Sequence, residues 1–197
     1  MNLDFWFSEA QTPNVKLSIR VDHQLYSGKS EFQRIDVFES PEFGRFLTLD
    51  GYMMLTEKDE FIYHEMITHV PMAVHPKVRD VLVIGAGDGG VIRELSRYPE
   101  IEHIDMAEID PLVVEVCKKY LPQTACRLDD PRLSIHYEDG VRFVRSKENC
   151  YDPIIVDSTA NFTEAVSRRC GRTASWSTSM KAPSMRQMPP PASVPTS

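Results

Sequence analysis

Positive charge is in short supply in this chain. Lys and Arg number 22 against 29 Asp and Glu, a net charge of −7 over 197 residues. That balance argues against a polyanion such as nucleic acid as the partner. It is compatible with a cationic small molecule, or with a surface that is merely well solvated. Cysteine is scarce too: Cys117, Cys126, Cys150 and Cys170 show no Cys-x-x-Cys spacing. Cys117 falls on an expected buried helix face, so reduced thiols in a cytoplasmic protein are expected. Long apolar runs are missing, and the start, Met1 to Phe7, has no basic segment ahead of an apolar core. Neither an export signal nor a membrane span is therefore expected. The length suits one domain of ordinary size, or one domain with a small appendage.

What the chain does have is concentrated at residues 81–90, Val-Leu-Val-Ile-Gly-Ala-Gly-Asp-Gly-Gly. Four consecutive apolar residues, three of them β-branched, read as a strand buried on both faces, the pattern of a parallel sheet. Gly85 and Gly87 permit a sharp turn and close approach of a ligand, and a helix opening near Gly90 points free N–H groups at it. That helix carries Val91, Ile92 and Leu95 and is expected to stop at Tyr98, ahead of Pro99. A glycine turn alone is a weak signal. The next strand, Ile104 to Ile109, strengthens it, because Glu108 falls about 20 residues after the turn, where a Rossmann-type unit places the carboxylate that grips a ribose diol. An adenosine-containing ligand is therefore expected. Asp110-Pro111 supplies an N-cap and a first-turn proline for a helix with Leu112, Val113, Val116, Cys117, Tyr120 and Leu121 on its apolar side, closed by Pro122.

A third strand is expected at Leu133 to Tyr137, followed by Glu138-Asp139-Gly140 and a short helix with Val141, Phe143 and Val144. A fourth, Pro153 to Val156, delivers Asp157. Parallel strands place their carboxyl ends on one rim, so Asp88, Glu108, Asp139 and Asp157 are expected to line one crevice. An acidic crevice beside an adenosine site suits a cationic partner.

Upstream, residues 1 to about 56 read as a small antiparallel β unit with two hairpins. Glu31 to Phe38 alternates, with Gln33 inside the strand, and turn chemistry comes next at Ser40-Pro41-Glu42-Phe43-Gly44 and Asp50-Gly51. From Lys58 to Val74 the period becomes helical, with Ile62, Met66, Val70 and Ala73 on one apolar stripe and Phe61 beside it. The helix carries Tyr63 and His64. His64 and His69 are five residues apart and so diverge by roughly 140° around the axis, whereas helical metal ligands four apart share a face. No metal site is expected.

Leu-Asp-Gly-Tyr-Met-Met-Leu-Thr-Glu-Lys-Asp-Glu-Phe-Ile-Tyr-His-Glu-Met (49–66), Gly-Ala-Gly-Asp-Gly-Gly (85–90), Glu108-Ile109-Asp110 and Asp157-Ser158-Thr159 together resemble the polyamine aminopropyltransferases, most closely the bacterial spermidine synthases, over residues 1 to about 159. The resemblance implies an α/β, Rossmann-like fold of the S-adenosylmethionine-binding type with an incomplete parallel sheet, preceded by a small antiparallel β domain. It implies residues 1–56 as the β-hairpin domain and 57–159 as the catalytic domain. The implied reaction is aminopropyl transfer from decarboxylated S-adenosylmethionine, as cosubstrate, to putrescine, giving spermidine and methylthioadenosine. No permanently bound cofactor is implied, and the implied assembly is a homodimer or homotetramer. By analogy Gln33, Gly85, Gly87, Glu108, Asp139 and Gly140 hold the nucleoside, Tyr63, His64, Asp88 and Asp157 the amine, and Asp157 is the base. The family usually has glycine at position 86, where this chain has alanine.

An ordinary S-adenosylmethionine methyltransferase is the main rival, and a non-catalytic remnant a third reading. Asp88 in the turn argues against the methyltransferase: it would pair with the ammonium of the decarboxylated donor and repel an intact methionine carboxylate. Beyond Thr159 the family continues with Asp-Pro and a glycine-rich gate, whereas this chain reads Ala160-Asn161-Phe162-Thr163. Residues 160–197 hold seven serines, five prolines and five Lys or Arg against one Glu, a composition expected to be disordered. Re-read with each codon beginning one base earlier, Thr173 to Pro183 can encode Asp-Gly-Ile-Leu-Val-Asn-Gln-His-Glu-Ser-Pro, which resembles the family's next buried strand. The tail is therefore expected to be an out-of-frame translation, the strand 153–156 to lie at an open edge with poorly covered faces, and the chain to have little or no activity.

Overall fold

The computed structural model describes residues 4–75, 77–147, 150–158 and 176–177. The first part of the chain is all β. Strands β1 (Phe5–Thr12) and β2 (Val15–Val21) form a two-stranded antiparallel ribbon, and β3 (His23–Lys29), β4 (Arg34–Ser40), β5 (Gly44–Leu49) and β6 (Tyr52–Thr56) form a four-stranded antiparallel meander. The two expected turns are there, joining β4 to β5 and β5 to β6. The ribbon and β3 are additional to the two expected hairpins: β2, Val-Lys-Leu-Ser-Ile-Arg-Val, does alternate and carries a strand signal, whereas β3, His-Gln-Leu-Tyr-Ser-Gly-Lys, has little of the alternation that marks a half-buried strand. One expectation is corrected here. Gln33 does not lie within a strand, because Ser30 organises a turn in front of β4, its Oγ accepting the N–H groups of Phe32 and Gln33 while its own N–H donates to the Gln33 carbonyl.

Helix α1 (Glu60–Val74) comes next, then alternation of strand and helix: β7 (Asp80–Gly85), α2 (Gly90–Leu95), β8 (His103–Glu108), α3 (Pro111–Tyr120), β9 (Leu133–Tyr137), α4 (Gly140–Arg145), β10 (Ile154–Asp157) and the two-residue β11 (Trp176–Ser177). All five strands of this sheet are parallel, in the order β11-β10-β7-β8-β9. The order runs outward in both directions from β7, so the first crossover reverses at its carboxyl end, where open α/β sheets bind ligands. Val81, Leu82, Val83 and Ile84 are at most 1 % exposed, as a strand covered on both faces requires. Helix α2 ends at Leu95, short of the expected Tyr98, although a turn with Tyr98 N–H on the Leu95 carbonyl carries the chain that far. Asp110 caps α3 as expected, accepting the Leu112 N–H at 3.1 Å.

The orientation of α1 overturns the sequence reading. Ile62 and Met66 are 57 % exposed, Val70 and Ala73 also face outward, and the buried side holds Glu60, His64, Ile67, Thr68, Pro71 and Met72. The apolar stripe does not decide which face turns inward, because the paired polar groups of Glu60 and His64 find their partners only on the sheet side.

The expectation of a bare strand at 153–156 is also corrected. Ile154, Ile155 and Val156 are at most 1 % exposed; Ile154 and Val156 pack with Leu82, Ile84, Phe143 and Val144, and Ile155 joins the larger core on the other face. Their edge is paired over two residues, Ile155 with Trp176 and Val156 with Ser177. Apart from those two residues, the expected disordered tail lies outside the described residues.

Ala86 adopts φ +65°, the left-handed region that costs a residue with a Cβ roughly 1 to 2 kcal/mol. Replacing it by glycine relieves that strain but gives up a buried methyl, about 0.8 kcal/mol, and loosens the unfolded chain by about 0.4 to 1 kcal/mol. The terms nearly offset. Ala86→Gly is expected to change stability by less than about 1 kcal/mol in urea unfolding; a loss above about 2 kcal/mol would mean that alanine is not strained there.

Candidate active site

The glycine turn and the end of β10 are built against each other. Gly85 sits at φ +82°, and a Cβ there would lie 2.0 Å from the main-chain oxygen of Asp157, so only glycine lets the two strands end this close. The same Asp157 carbonyl accepts the Ala86 N–H at 3.3 Å. This contact brings Asp157 and Asp88 to one spot.

Around that spot α1 contributes two side chains. Tyr63 donates its hydroxyl to Asp157 Oδ1 at 2.7 Å. His64, only 2 % exposed, lies with Nε2 3.2 Å from Asp88 Oδ1 and Nδ1 2.5 Å from Glu60 Oε2. Its ring fills the place where a Cβ on Gly90 would stand, 2.3 Å from Cε1 and Nδ1. Asp88 also accepts the Gly90 N–H on Oδ1 at 2.7 Å. Ligating atoms of His64, Asp88 and Asp157 all fall within 4.8 Å of one another.

Such crowding drives the protonation states apart. Burial alone would lower the His64 pKa, but Asp88, Glu60 and Asp157 outweigh it and raise the imidazole to about 10. Burial acts against the charge on Asp88 as well, yet His64, the Gly90 N–H and Arg93 hold its carboxyl below the ordinary value. Asp157 goes the other way: burial first, then the charge of Asp88, push it up to about 6 despite His64 and Tyr63. Its Oδ2 is buried with no hydrogen-bond partner among the described residues. One carboxylate is thus kept charged and its neighbour is poised to take a proton near neutral pH, the separation by which paired acids divide their tasks. The three-residue cluster also has a spacing that suits a metal ion, but an imidazolium with both nitrogens turned to carboxylates has no lone pair to lend.

Glu108 stands at the end of β8, its Oε2 accepting the Gly87 N–H at 3.1 Å and its Oε1 the Asp110 N–H at 2.9 Å. Burial is the main cause that raises it to about 7, with Asp110 and Asp88 adding to it against those two N–H bonds. Gln33 approaches from the β meander, donating Nε2 to Asp110 Oδ2 at 3.0 Å, beside Ser30 Oγ at 2.7 Å on the same oxygen. Asp139 is at the neighbouring strand end, where it caps α4 by accepting the Arg142 N–H at 2.8 Å, and Gly140 opens that helix. Tyr63, His64, Asp88 and Asp157 are therefore in mutual contact, with Gly85, Gly87 and Glu108 adjoining. Asp139 and Gly140 stand apart at the next strand, and Gln33 reaches the group through Asp110. The second histidine, His69, turns away to Tyr98 and Glu94.

Three participants escape a reading of the sequence. Glu60 and Arg93 form a two-pronged ion pair at 2.7 and 3.0 Å behind His64, and Gly90 is needed for the ring above it. The spacing of Glu60 and His64, four apart on one helix face, is the signal that could have found the first.

Comparison with known proteins matches residues 60–170 to the spermine/spermidine synthase domain and residues 5–57 to the spermidine synthase tetramerisation domain. Over 160 residues, 81% of its length, the chain is 69% identical to a polyamine aminopropyltransferase of Alkaliphilus oremlandii and 68% to one of Clostridium perfringens. It spans 56% of the length of these curated relatives. Among solved structures, the spermidine synthase of Thermotoga maritima superposes with a TM-score of 0.81 at 44% identity, covering 84% of this chain and 59% of that one. A spermidine synthase in complex with the transition-state analogue AdoDATO gives 0.81 at 45%, with the same coverage of 84% and 59%. Strand order, the acidic rim at the carboxyl ends and the two domain matches converge: the chain belongs to the spermine/spermidine synthase family.

Proposed function

We infer that this rim carries out aminopropyl transfer from decarboxylated S-adenosylmethionine to putrescine. The observation that carries the reading is the Asp88/Asp157 pair, one member held ionised and the other raised to about 6 within the same cluster. A diamine needs both: a carboxylate to fix an ammonium, and a base to remove a proton from the attacking nitrogen. The nitrogen lone pair then forms a bond to the propyl carbon next to sulfur. The carbon–sulfur bond breaks, its electron pair neutralises the sulfonium, and methylthioadenosine leaves while the proton passes to Asp157. In this reading Tyr63 orients Asp157, Glu108 takes the ribose hydroxyls, and Gly85, Gly87, Gln33, Asp139 and Gly140 surround the nucleoside.

The same reading divides the chain at residues 56/57 and 159/160 and takes the segment after Thr159 as out of frame. Self-association as a dimer or tetramer is supported by the match of residues 5–57. A cytoplasmic setting accords with Cys117 and Cys126 as free thiols. Among the described residues no helix is long and apolar enough to cross a membrane. Turnover by the chain alone is expected to be small, since Ala160 to Thr163 stand where the family has its Asp-Pro and gate, and closure supplies positioning and water exclusion.

Binding is therefore the direct test. In calorimetric titrations decarboxylated S-adenosylmethionine is expected to bind more tightly than S-adenosylmethionine, because only the latter brings a carboxylate toward Asp88. Asp88→Asn is expected to narrow the gap by on the order of 1 to 3 kcal/mol. The opposite order of affinities would favour a methyltransferase.

A further inference from the structure

We propose that Glu60, clamped by Arg93, is a positioning residue for the amine subsite: it fixes the ring of His64 over Gly90 with Nε2 facing Asp88. The proposal deepens the reading of that subsite given above and rests on it.

Glu60 is the first residue of α1 yet is only 8 % exposed. A buried carboxylate is costly unless it is paired, and this one is paired twice. Arg93 donates to both of its oxygens, at 2.7 and 3.0 Å, and His64 Nδ1 lies 2.5 Å from Oε2. The guanidinium is held in turn by Glu94 Oε1 at 2.9 Å and the Gln123 carbonyl at 3.2 Å, so the clamp has little freedom to swing. Beneath the imidazole, Gly90 leaves no room for any side chain. With Nδ1 committed to Glu60, the ring can present only Nε2 to Asp88; a flipped ring would turn carbon toward that carboxylate.

The charged groups facing His64 come from every element around it. Glu60 lies on its own helix, Asp88 in the glycine turn and Asp157 at the end of β10, with Arg93 of α2 behind Glu60 and the neutral Tyr63 ring edge-on at 5.5 Å. Among the described residues the hydrogen-bonding contacts that reach the Asp88 carboxylate, from His64 and from the Gly90 N–H, fall on Oδ1, which leaves Oδ2 for an incoming ammonium. An imidazolium held here keeps Asp88 charged and restrains the rise of the Asp157 pKa. Removing the charge of Glu60 lets His64 lose its proton, and both aspartates then lose their cationic neighbour.

Ring-¹⁵N histidine NMR of the full 197-residue chain without ligand, with the His64 signal assigned by its loss in His64→Gln, reads this directly. His64 is expected to carry protons on both nitrogens at pH 8. In Glu60→Gln its titration midpoint falls from about 10 to below 8, by about two pH units or more, with Glu60→Asp and Arg93→Lys in between. Putrescine binds Glu60→Gln about tenfold more weakly at pH 8, and the difference shrinks at pH 6, where His64 is protonated again. A neutral His64 at pH 8 in the unaltered chain overturns the proposal without any variant, and so does an unchanged midpoint in a folded Glu60→Gln. Putrescine failing to bind the unaltered chain, with His64 titrating as expected, contradicts the amine reading of the subsite and leaves the clamp standing.

Discussion

Replacing Asp157 by Asn is expected to make the chain more stable at pH 7.5 while weakening its hold on an amine. The Asp157 carboxyl is raised from 3.8 to about 6, so the folded chain binds this proton more tightly than the unfolded chain does. Such a group contributes its full stability below the unfolded value, and the contribution is lost as pH rises from about 4 to about 6. Above that window an ionised Asp157 beside Asp88 destabilises the fold, by on the order of 2 kcal/mol after allowance for its opening to the crevice. Asparagine keeps the Tyr63 contact on its Oδ1 and has no charge to repel Asp88. In urea unfolding Asp157→Asn is therefore expected to gain on the order of 2 kcal/mol at pH 7.5 and nothing at pH 3.5, with putrescine affinity reduced about tenfold or more. This is the pattern of a site whose reactive groups are held at a cost to the fold. A variant less stable than its parent at pH 7.5 would mean that Asp157 is a structural ion-pair partner.

Gly85→Ala is expected to have the opposite and larger effect. The substitution places a Cβ at φ +82° and within 2.0 Å of the Asp157 carbonyl oxygen, a main-chain atom that cannot move without parting β10 from β7. Left-handed strain of roughly 1 to 2 kcal/mol adds to overpacking of roughly 1 to 3 kcal/mol, against a total stability of about 5 to 15 kcal/mol for an ordinary domain. A loss of about 3 kcal/mol or more, read as a lower urea midpoint, is the expected result, with methylthioadenosine and putrescine binding lost together because the turn and the carboxylate part. Ala86→Gly, one residue away, is the control that should scarcely move the midpoint. Equal small effects at both positions would show that the turn is not wedged against Asp157.

The parallel sheet was legible in the sequence because its signals are local. Val81 to Ile84 form an uninterrupted apolar run, Gly85 ends it, Asp110-Pro111 starts a helix and Pro122 stands just past its close. The carboxyl-end rule then carries Asp88, Glu108, Asp139 and Asp157 to one edge without any side-chain geometry. Reading failed where a residue's environment is set by a distant partner. Helix α1 shows this most clearly, since Ile62, Met66 and Val70 suggest an inward apolar face, while the ion pair of Glu60 with Arg93, 33 residues on, turns the polar side inward. Gln33 is similar: Ser30 and Asp110, 77 residues away, hold it in a turn that alternation of side chains cannot reveal. The covering of Ile154 to Val156 was missed because it comes from α4 and the main core, both earlier in the chain. Gly90 resembles any other helix-opening glycine until the ring of His64 is placed above it.

The central claim is that one crevice holds a nucleoside and an amine side by side, with Asp88 and Asp157 on the amine. Its most direct test is a crystal structure of the chain with methylthioadenosine and putrescine at neutral pH. The account predicts the ribose hydroxyls on the Glu108 carboxylate and one amino nitrogen within hydrogen-bond reach of both Asp88 and Asp157. Putrescine found elsewhere, or a nucleoside bound without contact to Glu108, would contradict it.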